Sequence, residues 1–228
     1  MIYINAPIGV GKSTLTKYLS DSLGTHAFYE SVEDMPMLKE FYSNGDKSRS
    51  NLSFELQIAF LNYRFSQLRQ GLYLQEHDGE VNTVYDSSLL SDGIMCSNLY
   101  KRGEMSGVLY DLYQELSANM VADVAGHPFN GTPDLIVYLQ APFEVMLDHI
   151  KKRGREMETQ DPALVDYYKS VWDAYNDWYR GYSASPVVTI DMERYDFVAN
   201  PDDRENVLSI IKDRLVSLGK LKKVSMPT

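Results

Sequence analysis

A short segment near the start of the chain constrains the fold more than any other feature. It reads Ala6-Pro7-Ile8-Gly9-Val10-Gly11-Lys12-Ser13-Thr14, and it lies between a strand-like run, Met1 to Asn5, and a helical pattern. At such a junction, glycines let backbone N–H groups curl around an anion, and the helix N-terminus adds positive potential. The segment therefore predicts a phosphate-binding loop.

The individual residues of this loop have predicted tasks. Gly9, Val10, Gly11, Lys12, Ser13 and Thr14 are expected to hold the phosphates of a nucleotide, with Lys12 at the β- and γ-phosphates and the Ser13 hydroxyl on Mg²⁺. The first position of the pattern calls for glycine, whereas this chain has Ala6, and alanine resists a positive φ.

Apolar runs alternate with helical patterns along the rest of the chain. The predicted strands are Met1 to Asn5, Ala27 to Glu30, Asn82 to Asp86, Asp134 to Gln140 and Val187 to Asp191, and the predicted helices span about 15–23, 53–73, 106–125, 143–152, 162–181 and 203–218. Short continuous apolar strands alternating with helices predict a five-stranded parallel sheet covered on both faces, in an α/β fold of the P-loop kinase type. The polar stretch 44–50 has a turn signal and no apolar period, and it is expected to be a surface loop.

Composition narrows the class of protein. The 228 residues fit one domain, 1–228, with a small lid at about 151–160, and the formal net charge of −10 disfavours a nucleic-acid partner. The only dense basic run within the predicted fold, Lys151-Lys152-Arg153-Gly154-Arg155, is sized for one polyphosphate. A single cysteine, Cys96, and the lack of a leader or a long apolar run predict a cytoplasmic protein with no membrane partner.

Several further segments fall into one series with the phosphate loop. They are Phe28-Tyr29-Glu30-Ser31-Val32-Glu33-Asp34, the stretch 56–65, the basic run 151–155, Asp161-Pro162, Asp166-Tyr167-Tyr168, Thr189-Ile190-Asp191 and Asp196-Phe197. From about Met1 to Leu221, and least clearly over 70–133, the chain resembles the deoxyribonucleoside kinases, in particular the bacterial deoxyadenosine/deoxyguanosine kinases. The resemblance implies transfer of a phosphoryl group from ATP, with Mg²⁺, to the 5′-hydroxyl of a deoxynucleoside, which is expected to be a purine. It also implies a dimer, either of identical chains or with a paralogue.

The resemblance assigns roles around the acceptor. Glu30 matches the general base, as a carboxylate at a strand end beside the phosphate loop can accept the hydroxyl proton. Gln57 and Arg64 are two helical turns apart and therefore share a face, which the resemblance turns towards the nucleobase together with Asp92. Tyr42 and Glu158 match residues that bind the sugar 3′-hydroxyl.

The resemblance also assigns the donor side of the site. Arg153 and Arg155 correspond to lid residues that close over the transferring phosphoryl group, and His149 stands where a further arginine is usual. Asp196 and Phe197 correspond to the loop that holds the adenine of ATP. Asp86 corresponds to an acidic residue that serves Mg²⁺. The tyrosines of 162–181, among them Tyr167 and Tyr175, are at helical spacing and are predicted to pack.

One position departs from the pattern in a way that bears on catalysis. After Asp86 the resemblance calls for arginine, and the chain has Ser87. Three interpretations remain open: another cation substitutes in a deoxynucleoside kinase; the acceptor is a nucleoside monophosphate or a modified nucleoside; or the chain is a nucleotide-binding subunit of low activity that partners an active paralogue.

Overall fold

The sheet predicted from the apolar runs is present. The computed structural model describes residues 1–30, 36–43, 45–126, 129–159 and 161–222. The strands are β1 Ile2–Asn5, β2 Ala27–Phe28, β3 Val84–Tyr85, β4 Leu135–Gln140 and β5 Val187–Asp191. They form one five-stranded sheet in the order β2-β3-β1-β4-β5, and every pairing is parallel. The expectation of a five-stranded parallel α/β sheet is confirmed.

The order of the strands places the site. β1 lies in the middle, with Ile2 in register with Val84 of β3 on one side and Leu135 of β4 on the other. Strands β2 and β3 therefore lie on one side of β1 and β4 and β5 on the other, and the carboxyl ends of β1, β2 and β3 meet at one edge of the sheet. Crevices at such a switch point are the usual ligand sites of open parallel sheets.

Helices connect the successive strands and pack against the sheet. Their bounds are α1 Lys12–Leu23, α2 Pro36–Ser43, α3 Gly45–His77, α4 Leu89–Lys101, α5 Gly107–Val124, α6 Phe143–Arg153, α7 Glu156–Thr159, α8 Leu164–Gly181 and α9 Pro201–Ser217. None of the helices in the described ranges is both long and apolar enough to cross a bilayer.

The prediction of a surface loop at 44–50 is wrong for residues 45–50. These residues form the first turns of α3, whereas Asn44 lies outside the described residues. Arg49 is fully buried, and its Nε donates to Glu104 Oε1 at 3.2 Å, while the Ser53 hydroxyl donates to the Arg49 carbonyl. The start of α3 was missed because its early buried positions are polar, so that they leave no apolar period to detect.

Three helices, α2, α4 and the short α7, were not predicted, and each contributes residues to the site. α2 packs along α3. α4 follows directly on Ser88, whose side chain accepts a hydrogen bond from the Ser91 N–H at 3.3 Å and so caps the helix. Because β3 ends only a few residues earlier, this cap holds α4 at the same edge of the sheet as the phosphate loop.

Candidate active site

A cavity of about 660 Å³ opens at the carboxyl edge of the sheet. It is lined from several parts of the chain: the phosphate loop, the ends of β2 and β3, helices α2, α3 and α4, the α6–α7 segment, and the segment after β5. Of the residues predicted to form the site, those on its wall are Gly9, Val10, Gly11, Lys12, Ser13, Thr14, Glu30, Tyr42, Gln57, Asp86, Asp92, Arg153, Arg155, Glu158 and Asp196. Residues up to about 190 positions apart in sequence are thus brought to one cavity, as the parallel topology requires.

The phosphate loop has the backbone its glycines predict. Gly9 and Gly11 have φ of +79° and +98°, values that only glycine adopts readily, and Gly11 is the N-cap of α1. The Lys12 ammonium donates to the carbonyls of Ala6 and Pro7 at 3.1 and 3.2 Å. Ala6 itself is not strained, because the one non-glycine residue with positive φ in the described ranges is Asn82. The departure from glycine at position 6 therefore leaves the loop intact.

Charge around Lys12 is balanced by carboxylates. Burial lowers the pKa of the Lys12 amino group, and the nearby Asp86 and Glu30 charges oppose that shift. An ammonium group enclosed in this way lacks the water that would otherwise screen it. It is consequently well suited to bind the phosphate oxygens of a nucleotide.

Ser13 and Asp86, the two residues predicted to bind Mg²⁺, are in contact with each other. The Ser13 hydroxyl donates to Asp86 Oδ2 at 2.6 Å, and Asp86 Oδ1 is buried with no hydrogen-bond partner among the described residues. Burial raises the pKa of Asp86, opposed by Lys12 and by the Ser13 hydrogen bond. Mg²⁺ takes oxygen ligands and usually keeps water and substrate phosphates as its other ligands. A serine hydroxyl beside a carboxylate that has a spare oxygen fits such an ion.

Glu30 lies just beyond β2 and is held by α3. Its Oε1 accepts a hydrogen bond of 2.6 Å from Arg64, while Gln67 and Tyr63 donate to the carbonyl of Tyr29 at 2.7 and 3.0 Å. Burial acts to raise the pKa of Glu30, but the positive charges of Arg64 and Lys12 outweigh it, and the pKa lies below its usual value. Glu30 is therefore ionised at neutral pH, as a proton acceptor must be.

Arg64 was predicted to face the ligand, but it is buried and does not itself line the cavity; it also faces a second carboxylate. Its Nε lies 3.6 Å from Asp92 Oδ1, and both side chains are buried. Burial raises the pKa of Asp92 to about 7, against the opposing charge of Arg64. Gln57 is likewise buried, with its Oε1 lacking a partner among the described residues. Gln57 and Asp92 thus bring unsatisfied polar atoms to one wall of the cavity, where a ligand with polar edges would satisfy them.

The two residues predicted to bind the 3′-hydroxyl differ in how they are engaged. Tyr42 is packed edge-on against Phe41 and Tyr167, and burial raises its pKa. Glu158 is held by Arg153, whose Nη2 lies 2.7 and 2.6 Å from its two oxygens, and the Tyr168 hydroxyl donates to the Glu158 carbonyl at 2.8 Å. In this structure the Glu158 carboxylate is therefore paired with an arginine of the basic run.

The basic run crosses a helix end. α6 ends at Arg153, Gly154 caps it in the left-handed conformation with φ of +66°, and α7 begins at Glu156. Arg155 Nη1 lies 3.6 Å from Glu158 Oε1, so that one buried carboxylate contacts both arginines, and both line the same cavity as the phosphate loop. His149 and Lys152 also line the cavity.

The two residues predicted to hold the adenine of ATP, in the segment after β5, lie in different places. Asp196 lines the cavity, whereas Phe197 is fully buried and is not among the lining residues. The Phe197 ring lies behind the phosphate loop, where a Cβ on Gly11 would approach its Cζ to 3.2 Å. Phe197 therefore supports the loop from behind.

Sequence reasoning did not predict most of the aromatic and apolar residues that line the cavity. Leu38, Phe41, Phe60, Met95, Tyr167, Tyr175 and Tyr195 all line the cavity. Tyr167 and Tyr175 were predicted to pack, and each is indeed buried while one side faces the cavity. Nothing in their spacing separates a cavity wall from a core position, because both give the same helical period.

Similarity to known proteins extends over almost the whole chain. A family model described as deoxynucleoside kinase matches residues 2–217. The chain is 39% identical to a deoxyguanosine kinase of Lactobacillus johnsonii, over 97% of this chain and 95% of that protein. It is 35% identical to a deoxyadenosine kinase of Lactobacillus acidophilus, over 97% of this chain and 99% of that protein.

A solved structure shares the fold. Deoxyadenosine kinase from M. mycoides with bound dATP superposes with a TM-score of 0.73 at 26% identity, over 92% of this chain and 98% of that one. The same kinase with the products dCMP and dCDP also gives a TM-score of 0.73, over 95% of this chain and 98% of that one.

Proposed function

Because this chain belongs to the deoxynucleoside kinase family, whose members are phosphotransferases acting on a hydroxyl group, we propose that it transfers the γ-phosphate of ATP to the 5′-hydroxyl of a purine deoxynucleoside. One observation supports this most directly. The phosphate loop, the carboxylate of Glu30 and the polar wall of Gln57 and Asp92 line a single cavity. A donor phosphate, a proton acceptor and a surface for a polar ring are thereby assembled in one place.

Glu30 is the proposed general base. The 5′-oxygen attacks the γ-phosphorus, the bond from that phosphorus to the β–γ bridging oxygen breaks, and ADP leaves with the electron pair. The proton of the hydroxyl passes to Glu30, which is ionised at neutral pH since its pKa is lowered by Arg64 and Lys12 against the effect of burial.

The phosphate loop and the lid carry the charge of the transferring group. Lys12 exchanges the carbonyls of Ala6 and Pro7 for phosphate oxygens when nucleotide binds. Arg153 and Arg155 are placed to close over the phosphoryl group, whose charge spreads over three oxygens, and closure excludes water as a competing acceptor. Ser13 and Asp86 are the proposed Mg²⁺ ligands, and the bound ion would neutralise charge on the phosphates.

The acceptor side is proposed to take a purine. Gln57 and Asp92 on the cavity wall, with the buried Arg64 3.6 Å from Asp92, supply donors and acceptors for the edge of a nucleobase, and aromatic side chains such as Phe60 give it an apolar surface. Tyr42 is proposed to bind the sugar. Relatives that act on deoxyguanosine and deoxyadenosine support the same choice.

The wider setting follows from the same resemblance. We infer a single catalytic domain that acts in the cytoplasm in nucleotide salvage, as a dimer of identical chains or with a paralogue. Asp196, together with the support of Phe197 for the phosphate loop, is proposed to hold the adenine side of ATP.

The test is a panel of acceptors. Purified protein is incubated with Mg-ATP and each of the four deoxynucleosides and their four monophosphates, and ADP release is measured together with the phosphorylated product. We expect turnover on a purine deoxynucleoside, lost in Lys12→Ala and in Glu30→Gln, and retained in Glu205→Gln, which changes an exposed carboxylate on α9. Turnover on monophosphates alone would move the acceptor to a nucleotide. Nucleotide binding without any turnover would refute the catalytic assignment.

A further inference from the structure

We propose that Arg64, in addition to facing the nucleobase, is the positioning residue that holds the general base Glu30, a task for which the end of β3 offers only Ser87. The inference rests on the proposed function, in which Glu30 takes the proton of the 5′-hydroxyl. It concerns a cation that comes from the middle of α3 rather than from the strand beside the phosphate loop.

The geometry of the pair carries the proposal. Arg64 Nη2 lies 2.6 Å from Glu30 Oε1, and only 2% of the arginine side chain is exposed. Arg64 is in the interior of a long helix whose neighbouring residues Tyr63 and Gln67 bind the carbonyl of Tyr29. A single helical segment therefore fixes both the backbone next to Glu30 and the direction of its carboxylate. A base held by a rigid element keeps its geometry through the reaction.

The residues Asp86, Ser87 and Ser88 at the end of β3 supply no positive charge for this task. Ser87 follows Asp86 directly, lines the cavity and is buried, and its side chain is a short neutral hydroxyl. The neighbouring carboxylates Glu30, Asp86 and Asp92 nonetheless need positive charge, because each lowers the stability of the others in ionised form. Arg64 supplies it to two of them, at 2.6 Å to Glu30 and 3.6 Å to Asp92.

Three cations that line the cavity have close contacts with other groups, although the charges of Lys12 and Arg155 also act on Glu30. The Lys12 ammonium donates to the carbonyls of Ala6 and Pro7. Arg153 makes a two-pronged contact with Glu158, and Arg155 lies 3.6 Å from the same carboxylate. The direct hydrogen bond from Arg64 thus makes it the cation best placed to orient Glu30. Consistent with that contact, Arg64 is the leading positive charge that lowers the pKa of Glu30 against burial.

A residue that served only the nucleobase would change KM for the nucleoside and base selectivity, whereas a residue that positions Glu30 must also change kcat and its pH dependence. We expect Arg64→Met to lower kcat at least about 100-fold, the scale seen when one preorganised group of an active site is removed. The acid limb of the kcat profile should move to higher pH, because Glu30 loses the charge that keeps its pKa low.

Two companion variants make the test specific. The double variant Ser87→Arg/Arg64→Met should have a kcat at least about tenfold above that of Arg64→Met alone. Ser87→Arg in the wild type should change kcat by less than this, because the new guanidinium is needed only when Arg64 is gone. Arg64→Lys keeps the charge but loses the fork of donors, and should keep the acid limb near that of the wild type. Circular dichroism and ADP affinity verify that each variant is folded.

A direct measurement separates this inference from the proposed function. The carboxyl carbon of Glu30 is titrated by NMR in the wild type and in Arg64→Lys and Arg64→Met. If the pKa of Glu30 is higher in Arg64→Met than in the wild type and in Arg64→Lys, the pairing is supported even when the protein shows no turnover. An unchanged Glu30 pKa, or a wild type that turns over with kcat unaffected by Arg64→Met, would overturn the inference while leaving the kinase activity in place.

Discussion

Gly9→Ala adds one methyl group at the most crowded glycine of the phosphate loop. The backbone there has φ of +79°, and a Cβ would lie 2.8 Å from Cγ1 of Ile150 and 3.4 Å from the Ile150 backbone nitrogen. Ile150 is buried in α6, directly before the basic run, so that it has little room to withdraw. The substitution therefore forces either the loop or α6 to move.

The expected cost has two parts. Holding an alanine at positive φ costs about 1–2 kcal/mol. Overpacking a buried contact costs about 1–3 kcal/mol more, since Ile150 cannot rotate freely in a dense core. Gly9→Ala should accordingly lower the free energy of unfolding by about 2–5 kcal/mol. It should also weaken ATP binding, because the loop is displaced from the geometry that aims its N–H groups at the phosphates.

Gly24→Ala is the matched control. Gly24 caps α1 with φ of +64°, and a Cβ there meets nothing within 4 Å. It should show the backbone cost alone. Urea unfolding of the wild type and both variants, followed by ATP titration, measures the two effects, and Ile150→Ala in the Gly9→Ala background should recover the part due to the clash.

Equal losses of stability in Gly9→Ala and Gly24→Ala would refute the argument from crowding. So would additive effects of Gly9→Ala and Ile150→Ala, because two groups that collide must show coupling when either is removed. Unchanged ATP affinity in Gly9→Ala would show that the loop does not need its present backbone to bind phosphate.

Three further results are expected from the charged groups. Burial raises the pKa of Asp92 to about 7 from an ordinary 3.8, so that ionisation of this carboxyl lowers the stability of the folded protein as pH rises towards 7. Asp92→Asn should therefore stabilise the protein about 2 kcal/mol more at pH 8.5 than at pH 5.5, as measured by urea unfolding. Equal gains in stability at both pH values would contradict this. Among the described residues, Arg49→Met leaves the buried Glu104 with Arg102 as its remaining close cation. The substitution should cost about 3 kcal/mol, whereas a loss below about 1 kcal/mol would show that the pair is not needed for stability. Ser13→Ala should raise the Mg²⁺ concentration for half-maximal turnover about tenfold, and an unchanged requirement would exclude this hydroxyl as a ligand.

The fold was predictable wherever local pattern and burial agree. All five strands fall inside apolar runs of the sequence, because a strand covered on both faces has apolar residues at every position, as Leu135 to Leu139 show. The start of α3 was not predictable, because Arg49, Ser53 and Gln57 occupy its buried stripe. Polar residues at buried positions erase the period on which the prediction depends.

The candidate site likewise has a part that local sequence predicts and a part that it does not. The glycines, Lys12 and Ser13 are neighbours in sequence, and a turn between a strand and a helix suffices to bring them together. The chain alone therefore determined the phosphate loop, and the resemblance carried Glu30, Gln57 and Arg64 to the same site. The contact between Arg64 and Glu30 joins residues 34 positions apart, and that of Ser13 with Asp86 joins residues 73 apart. Only the parallel order of the strands, and the packing of α3 across their ends, decided which carboxylate each of these side chains meets, because such pairings depend on long-range burial and not on local conformation.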